Sequence, residues 1–559
     1  MLNNFLHPFM SPEANHSESL AFSLTLTING TAHKIPGANI KQCELQAYSY
    51  GFSGAVGFYL PDEQRQDELL PEFTAESLIN IELGIKAVHN LPKPAPDAFV
   101  VKGVVTKKSL TELSYEQVSG NPVLYRYYQI HFADPAQVLW KQHYPSELLV
   151  KDCMASAIKM QVVPPINLTI NFPPADEVQP LISLALGNTE YISPGETGGS
   201  NNASFYDFLI DYCARENAFF IYDYERQHYL LQADAPEPKS TQPFLPHEIS
   251  TLHQHWPSSR RSITNLLNGV AVGSKKNTVK NSNAVTGINH DILLRHNIDH
   301  RFSSRTCKET DKKMDHGEQI DVHFRQWPLQ TFWPHCQFQI NANVNGKHVF
   351  HADKSYCSDT CLISATAIDC TPEHNLDLHF TQYKLTYRMI GHKTDAPVSV
   401  LPDYKKPTYP LYVEGLVVSD VGAADEKTFD VPRNDQTGQF EYKVHIPLWD
   451  KTIPIMLEPD FLNSHFYFPF YRNTRLLIGL DLYRAHIYKV LSWGDGVQMP
   501  QITQGNHILF GKKTNDETSL SHAYENSKPV FAIKRKKEKD TELLRMEEGS
   551  IIFQTCEEP

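Results

Sequence analysis

The first long alternation in the chain is FSLTLTING, where Phe22, Leu24, Leu26 and Ile28 alternate with Ser23, Thr25 and Thr27. A period of two marks a half-buried strand, and Asn29-Gly30 then supplies the pair of positive-φ positions that a two-residue hairpin needs. The device returns in QFQINANVNGKHVF, where Phe338, Ile340, Ala342 and Val344 alternate before Asn345-Gly346. Two similar hairpins so far apart suggest two related barrels. Further strands are predicted at Phe99–Thr106, Leu124–Phe132 and Tyr383–Met389, each with one buried and one wetted face.

Helical spacing is rare. The best instance is ASFYDFLIDYCARENA, where Phe205, Phe208, Leu209, Tyr212 and Cys213 share a face and Ser204 with Asp207 makes an N-terminal capping box. FFIYDYE and HYLLQAD follow it as a strand hairpin. A second helix is predicted over Leu148–Met160. Lys275–Gly317 is polar and without period, and reads as a surface excursion. Thr394–Pro410 carries Pro397, Pro402, Pro407 and Pro410 and reads as a stiff linker. Beyond it, five strand signals between Leu411 and Trp493, with no helical pattern among them, suit a small barrel of the oligonucleotide/oligosaccharide-binding (OB) type. From Gln504 the segments QGNHILFGKK, KPVFAIKRK, TELLRM and GSIIFQT make a terminal run of strands. Their apolar residues and unpaired edges invite association. The fold class is therefore mainly β with a few helices (α+β).

Composition narrows the classes. At 559 residues the chain holds several domains, and 41% hydrophobic with 11% aromatic residues makes it globular and strand-rich. A net charge of -13 argues against bulk affinity for nucleic acid. The short basic run Lys534–Lys537 reads as an edge-strand guard. MLNNFLHPFMSPEANH has neither the basic nor the apolar segment of a signal peptide, so synthesis in the cytoplasm is expected, without export by a cleaved leader. Nine cysteines without framework spacing favour free thiols.

Catalytic signatures are poor. GFSGA at Gly51–Ala55 lacks the closing glycine of a nucleophile elbow. GETGGSN at Gly195–Asn201 lacks the lysine of a phosphate loop. The set His351, Cys357, Cys361, Cys370 and His374 has the donor types of a tetrahedral zinc site, against the plainer alternative of small cysteines buried on a strand. Trp449, Tyr467, Tyr471 and Trp493 are either sugar-stacking platforms or barrel core. No enzyme activity, catalytic residue or cofactor is expected beyond that possible zinc.

Four blocks together carry a family resemblance: Arg126–Ile158 (RYYQIHFADPAQVLWKQHYPSELLVKDCMASAI), Ala203–Asp234 (ASFYDFLIDYCARENAFFIYDYERQHYLLQAD), Gly438–Asp450 (GQFEYKVHIPLWD) and Phe468–Trp493 (FPFYRNTRLLIGLDLYRAHIYKVLSW). In this order they resemble the VgrG spike proteins of type VI secretion systems and the hub and spike proteins of contractile phage tails. The resemblance implies a homotrimer in which residues 1–390 form a hub of two β-barrel domains, with a helical and hairpin part around 141–235. A proline-rich linker (391–410), an OB-type barrel (411–495) and a β-prism needle stub (496–559) follow. It also implies partners: a tube protein, baseplate proteins, a tip-capping protein and an effector. The target membrane is contacted mechanically, and export needs no signal peptide. Phe205, Phe208, Leu209 and Tyr212 fall in the hub, Trp449 and Tyr471 in the small barrel, and Ile508, Phe510, Ile551, Ile552 and Phe553 in the prism. The last segment is short and lacks a valine-glycine repeat, which implies a stub completed by another protein. A carbohydrate-binding or carbohydrate-cleaving β protein and a phage-derived baseplate hub are the alternatives.

Overall fold

The computed structural model describes residues 17–557, apart from 63–66, 89–97, 117–121, 188–201, 236, 238, 241–243, 245–247, 257–259, 270–274, 280, 295–298, 312–317, 329–331, 340–342, 345–346, 349–353, 374–375, 395–398, 420–432, 435–439, 457–469, 493–504 and 514–515. These residues belong to two compact units. The first is Met1–His143, Gln161–Pro174 and Ala203–Lys406; the second is Tyr144–Met160, Ala175–Asn202 and Pro407–Pro559.

The first unit opens with β1 (Ser17–Ile28), β2 (Thr31–Ile35), β3 (Ile40–Tyr48), β4 (Gly51–Pro61), α1 (Leu69–Thr74), β5 (Ile79–Ala87), β6 (Phe99–Glu116), β7 (Pro122–Ala133) and α2 (Pro135–Trp140). The predicted hairpin joins β1 to β2, with Asn29 at φ 49° and Gly30 at φ 88°. In chain order there follow β8 (Ser146–Cys153), α3 (Met154–Lys159), β9 (Leu168–Asn171), β10 (Val178–Ala185), α4 (Phe205–Glu216), β11 (Phe219–Asp223) and β12 (His228–Gln232). The rest of the first unit is β13 (Lys239–Ser240), β14 (Ile249–His255), β15 (Ile263–Asn268), β16 (Lys275–Val279), β17 (Asn289–Leu294), α5 (Asp299–Asp311), β18 (Gln319–Phe324), β19 (Cys336–Gln339), β20 (Asn343–Val344), β21 (Lys347–His348), β22 (Ser355–Ala367) and β23 (Phe380–Lys393).

Pairing closes a ring. The order β1-β5-β6-β7-β4-β3-β22-β23 returns to β1 through antiparallel ladders at every step. A second sheet, β13-β19-β22-β23-β18-β14, shares the β22–β23 pair. The two long strands divide their lengths between the sheets: Thr360–Thr366 of β22 pairs with β3, and Cys357 and its N-terminal neighbours pair with β19. A bulge between Ser358 and Thr360 lies where β22 passes from one to the other. Such an extra residue bends and twists a strand, which lets one hairpin serve two curved sheets. Phe22, Leu24, Leu26 and Ile28 are buried in the first sheet as their alternation predicts. The second is filled with rings, Phe244 lying 4.3 Å from Phe332 and 5.2 Å from Phe338.

α4 forms where predicted. Ser204 Oγ accepts from Asp207 N at 3.2 Å, Asp207 Oδ2 accepts from Ser204 N at 3.3 Å, and Asn217 ends the helix at φ 58°. The expected linker is docked along this helix. Asp207 Oδ1 accepts from Lys405 N at 3.3 Å and the Ala218 carbonyl from Ser399 Oγ at 3.1 Å, while β23 itself runs on to Lys393.

Two expectations fail. Leu148–Met160 is not one helix: β8 pairs antiparallel with β10, and only Met154–Lys159 is helical. Lys151 at φ 53° breaks helical geometry, and the apolar run of β10 offers β8 a ladder partner. β8 and β10 belong to the second unit and not with the hub segment. Within Lys275–Gly317, β16 and β17 flank β15, and α5 is tied to the end of α4 by Asn217 Nδ2 donating to the Lys308 carbonyl at 2.7 Å and by a Lys308–Glu216 ion pair. One buried aromatic, Phe302, anchors α5, too little to register as a period. β20 and β21 pair as predicted, but Asn345-Gly346 lies outside the described residues.

The second unit continues with β24 (Leu411–Val418), β25 (Glu441–Ile446), β26 (Lys451–Met456), β27 (Arg475–Leu480) and β28 (Ala485–Ser492), then β29 (Gly505–Lys513), β30 (Asp516–Glu525), β31 (Lys528–Lys537), β32 (Asp540–Glu547) and β33 (Ser550–Cys556). The five predicted strands make one antiparallel sheet, β26-β25-β24-β27-β28, whose edge strands touch. Val417, Val444, Ile453, Leu476 and Ile478 fill it, and Leu148 and Leu181 from β8 and β10 join that core. The last five strands form a meander in chain order, including β30, which was not predicted.

In the first unit, Asp321 of β18 holds Arg388 of β23 through both oxygens, at 2.8 and 2.6 Å, with His323 3.5 Å away. Burial pushes this carboxyl up, but the hydrogen bonds from His323 and Arg388 outweigh it and hold the pKa at about 2. A depressed folded-state pKa stabilises above the unfolded value and loses that contribution as pH falls through the folded one. Asp321→Asn is expected to lower stability at pH 7 by about 1–2 kcal/mol, a figure discounted for solvent screening. The deficit relative to the parent chain should vanish between about pH 4 and pH 2 in urea titrations; a deficit that does not change with pH would contradict the assignment.

Candidate interaction surface and buried polar sites

The terminal meander has the most unusual surface. Cross-strand partners share a face, and the registers align Ile508, Leu520, Ile533, Leu544 and Phe553 in one row across all five strands. The rows on either side of it add Phe531, Met546 and Ile551, and Phe510. Among the described residues this face is open at its edges, Phe553 being 80% exposed and Ile551 62%, while Leu520, Ile533 and Leu544 on the middle strands are half-buried. The expected prism residues Ile508, Phe510, Ile551 and Phe553 are thus brought together. Ile552 is not. It pairs with Arg545, in line with Ala532 and Ser521, and successive strand residues alternate faces, so it lies on the opposite side. Of Lys534–Lys537, Arg535 is engaged by Glu542, both of whose oxygens lie 3.1 Å from Nη1.

The other expected structural residues are core. Phe205, Phe208, Leu209 and Tyr212 are buried, Phe205 edge-on to Trp140 at 5.1 Å and Tyr212 against Phe172 at 6.2 Å. Trp449 packs against the core of the small barrel and donates from Nε1 to the Ser146 carbonyl at 2.8 Å; Tyr471 is buried. Tyr471 is thus core, Trp449 is half-buried against the barrel core, and Tyr467 and Trp493 lie outside the described residues.

The cysteine–histidine set is dispersed. Cys357 pairs with His392 and Cys361 with Met389, so the bulge between them puts the two thiols on opposite faces of the sheet. Both are buried, and burial pushes the Cys357 thiol up to about 12 and the Cys361 thiol higher still. Cys370 is exposed beyond β22, where its thiol meets the Ala367 carbonyl at 3.0 Å. His351 and His374 lie outside the described residues. Among the described residues no three His, Cys, Asp or Glu side chains are placed to hold a metal ion.

Gly51–Ala55 is the start of β4, and Gly195–Asn201 lies outside the described residues. What pattern reading missed beside Gly51 is Asp134, fully buried at the start of α2. It accepts from Phe52 N at 3.2 Å, from Gln137 N at 3.0 Å and from the Tyr229 hydroxyl. Burial raises its pKa to about 6, the hydrogen bonds limiting the rise. A Cβ on Gly51, whose φ is +153°, would lie 2.3 Å from Asp134 Oδ2, so only glycine leaves room for the carboxylate. With three donors and no open approach, Asp134 joins β4, α2 and β12 and is a structural group.

Solved structures share this architecture. A chain of the PdpA-VgrG complex in its lidless form is 14% identical, with 97% of this chain and 98% of that chain covered at a TM-score of 0.68. For the half-lidded Francisella complex the values are 14%, 97%, 89% and 0.69, and for the lidded Francisella complex 13%, 97%, 80% and 0.68. The fold is that of a chain in the PdpA-VgrG complex. At such identity the likeness concerns the fold alone. No protein-family model and no curated protein sequence matches the chain.

Burial sets the order of thiol reactivity, because the thiolate is the nucleophile. Iodoacetamide at pH 8 should label Cys370 on the native chain and leave Cys43, Cys357 and Cys361 unlabelled until denaturant is added, as peptide mass spectrometry would show. Chelation with EDTA should change neither this pattern nor the melting temperature; a chelator-induced exposure of Cys357 or Cys361 would establish a metal.

Proposed function

We propose that the chain is the hub and spike subunit of a contractile injection machine of the type VI secretion kind, and that it works as a homotrimer. The observation that carries this reading is the uncovered apolar face of the terminal meander. A five-stranded sheet exposing a continuous apolar row is marginal alone in water and stable when the row is buried. Three copies turning these faces inward make a prism with a dry centre. The end-to-end fold likeness to a chain of a VgrG complex supports the same assignment. In this reading the first unit is the hub that meets the tube and baseplate, the small barrel is of the OB type, and the prism takes a separate tip protein. The assembly forms in the cytoplasm, carries an effector and meets the target membrane mechanically. Its role is structural, with no reaction and no nucleic acid.

Light scattering on the purified chain should give three times 63.7 kDa. Phe553→Asp puts a carboxylate into the proposed interface, where burial of an unpaired charge costs several kcal/mol, and should release monomers. Ile552→Asp, on the opposite face, should leave the trimer intact. A monomeric parent chain, or equal effects of the two substitutions, would overturn the reading.

A further inference from the structure

The stretch around the predicted polar excursion carries a charge opposite to that of the rest of the chain. Between Arg260 and Lys313 eleven Lys and Arg stand against four Asp and Glu, a balance of +7 in a chain whose net charge is -13, which leaves -20 elsewhere. In the first unit this stretch folds as the sheet β16-β15-β17 with α5 on one side. Leu266 and Phe302 are buried, and Asn277 Nδ2 donates to Thr306 Oγ1 at 3.1 Å, which sets the helix against the sheet face that carries Leu266 and Asn277. Two cations of α5 are matched by carboxylates: Arg305 lies 2.6 Å from Glu309, and Lys308 pairs with Glu216.

The other face of the sheet carries a different set, because successive strand residues alternate sides. Lys276, Leu267 and Leu293 form one row across it, with Leu293 80% exposed and Lys276 exposed. The next row is polar. Asn265 Nδ2 donates to Asp291 Oδ1 at 2.7 Å, and Asn265 Oδ1 accepts from Thr278 Oγ1 at 2.9 Å, so the carboxylate of this row is already engaged. At the opposite end the Arg261 carbonyl accepts from Val285 N and the Ile288 carbonyl from Ile263 N, both at 2.8 Å, which ties the loop 281–288 to the start of β15. Val285 and Ile288 are each 52% exposed there, beside the exposed Arg261, whose Nη1 donates to the Asn283 carbonyl at 3.4 Å. Aliphatic side chains thus protrude next to a cation at both ends of the face.

We propose that this face is a docking surface for an anionic lipid bilayer, held peripherally. Lys276 and Arg261 meet headgroup phosphates, while Leu293, Val285 and Ile288 enter the boundary between headgroups and acyl chains. Charge complementarity selects an anionic partner, since this stretch is basic and the acidic remainder of the chain is repelled by the same surface. The protruding aliphatics choose among anionic partners. A nucleic acid takes up the cations and leaves Leu293 in water. A protein interface centres on an anchor seated in a packed pocket, whereas here single aliphatic side chains stand at the two ends of the face with a polar row between them. The contact adds adhesion to the mechanical encounter proposed above and does not depend on the trimer.

The test is flotation of the full chain with vesicles of phosphatidylglycerol and phosphatidylcholine, about three to seven, against vesicles of phosphatidylcholine alone. In about 0.1 M NaCl the anionic vesicles should bind at least roughly tenfold more tightly, and about 0.5 M NaCl should remove most of that preference. The combined Arg261→Gln and Lys276→Gln substitutions should weaken binding roughly tenfold to thirtyfold. Val285→Ser with Leu293→Ser, at exposed positions, should weaken it several-fold and leave the preference for anionic vesicles in place. Circular dichroism should show all these chains folded. The Phe553→Asp chain should keep the preference whether or not the trimer forms. Equal binding to the two kinds of vesicle, indifference to either pair of substitutions, or a short DNA duplex bound as tightly as the anionic vesicles would overturn the proposal.

Discussion

The β22–β23 pair is the constraint on which the first unit depends. Each strand is a member of both sheets, so neither sheet could keep its shape if the hairpin slipped. A one-residue slip moves every side chain to the other face, and here it would turn out both Cys361, Ile363 and Ala365 of one sheet and Tyr356 of the other. The pair is pinned at its weakest point. Where the ladder is interrupted between Ser358 and Thr360, Ser358 is bonded to the Trp333–Cys336 loop, and Asp359 makes a 2.7 Å contact with His392 on the facing strand. The polar groups at the bulge thus replace ladder bonds with side-chain bonds, as burial requires.

The terminal meander is governed by the opposite circumstance. Its strands are short-linked and in perfect chain order, so it forms locally, but one chain offers it no second layer. The first unit buries its apolar strand faces within itself, around closed and shared sheets. The meander leaves the ends of its apolar row exposed, at Ile508 and Phe553. In the proposed trimer, stability of the meander is coupled to concentration in a way that stability of the first unit's sheets is not.

How legible this was in the sequence varies with the physics. Alternation found β1, β7, β23 and the five strands of the small barrel, because each has one dry and one wet face. It missed β30, DETSLSHAYE, whose only long aliphatic residue is Leu520 and whose face is shared with polar neighbours. Leu148–Val150 satisfied helical and strand spacing equally, and the choice was made by β10, thirty residues away, through contacts no local pattern contains. The polar stretch before Gly317 holds regular structure on one aromatic, Phe302, and on side-chain to backbone bonds such as Asn217 to Lys308. The Cys357 and Cys361 spacing suggested a metal because a bulge, which separates the two thiols, leaves no mark in residue types. Asp134 was unreadable for a related reason: its three donors come from strands β4 and β12 and from the first turn of α2, and burial alone distinguishes it from other aspartates.

Apolar rows bind without discriminating, so in the proposed trimer something else has to choose the partner. The row beside Phe553 carries Phe510, Thr518, Arg535, Glu542 and Thr555 on the same face. Arg535 and Glu542 neutralise each other within the chain, which removes the penalty of an isolated charge at the interface while keeping a polar ridge at one fixed height. A partner face shifted by two residues along the strands would set that ridge against Leu or Ile and strip water from the ion pair without replacing it. A copy of the same sheet in the same register sets ridge against ridge and row against row. Identity of partner and identity of register are then selected by one pair of side chains, and the apolar row supplies the affinity.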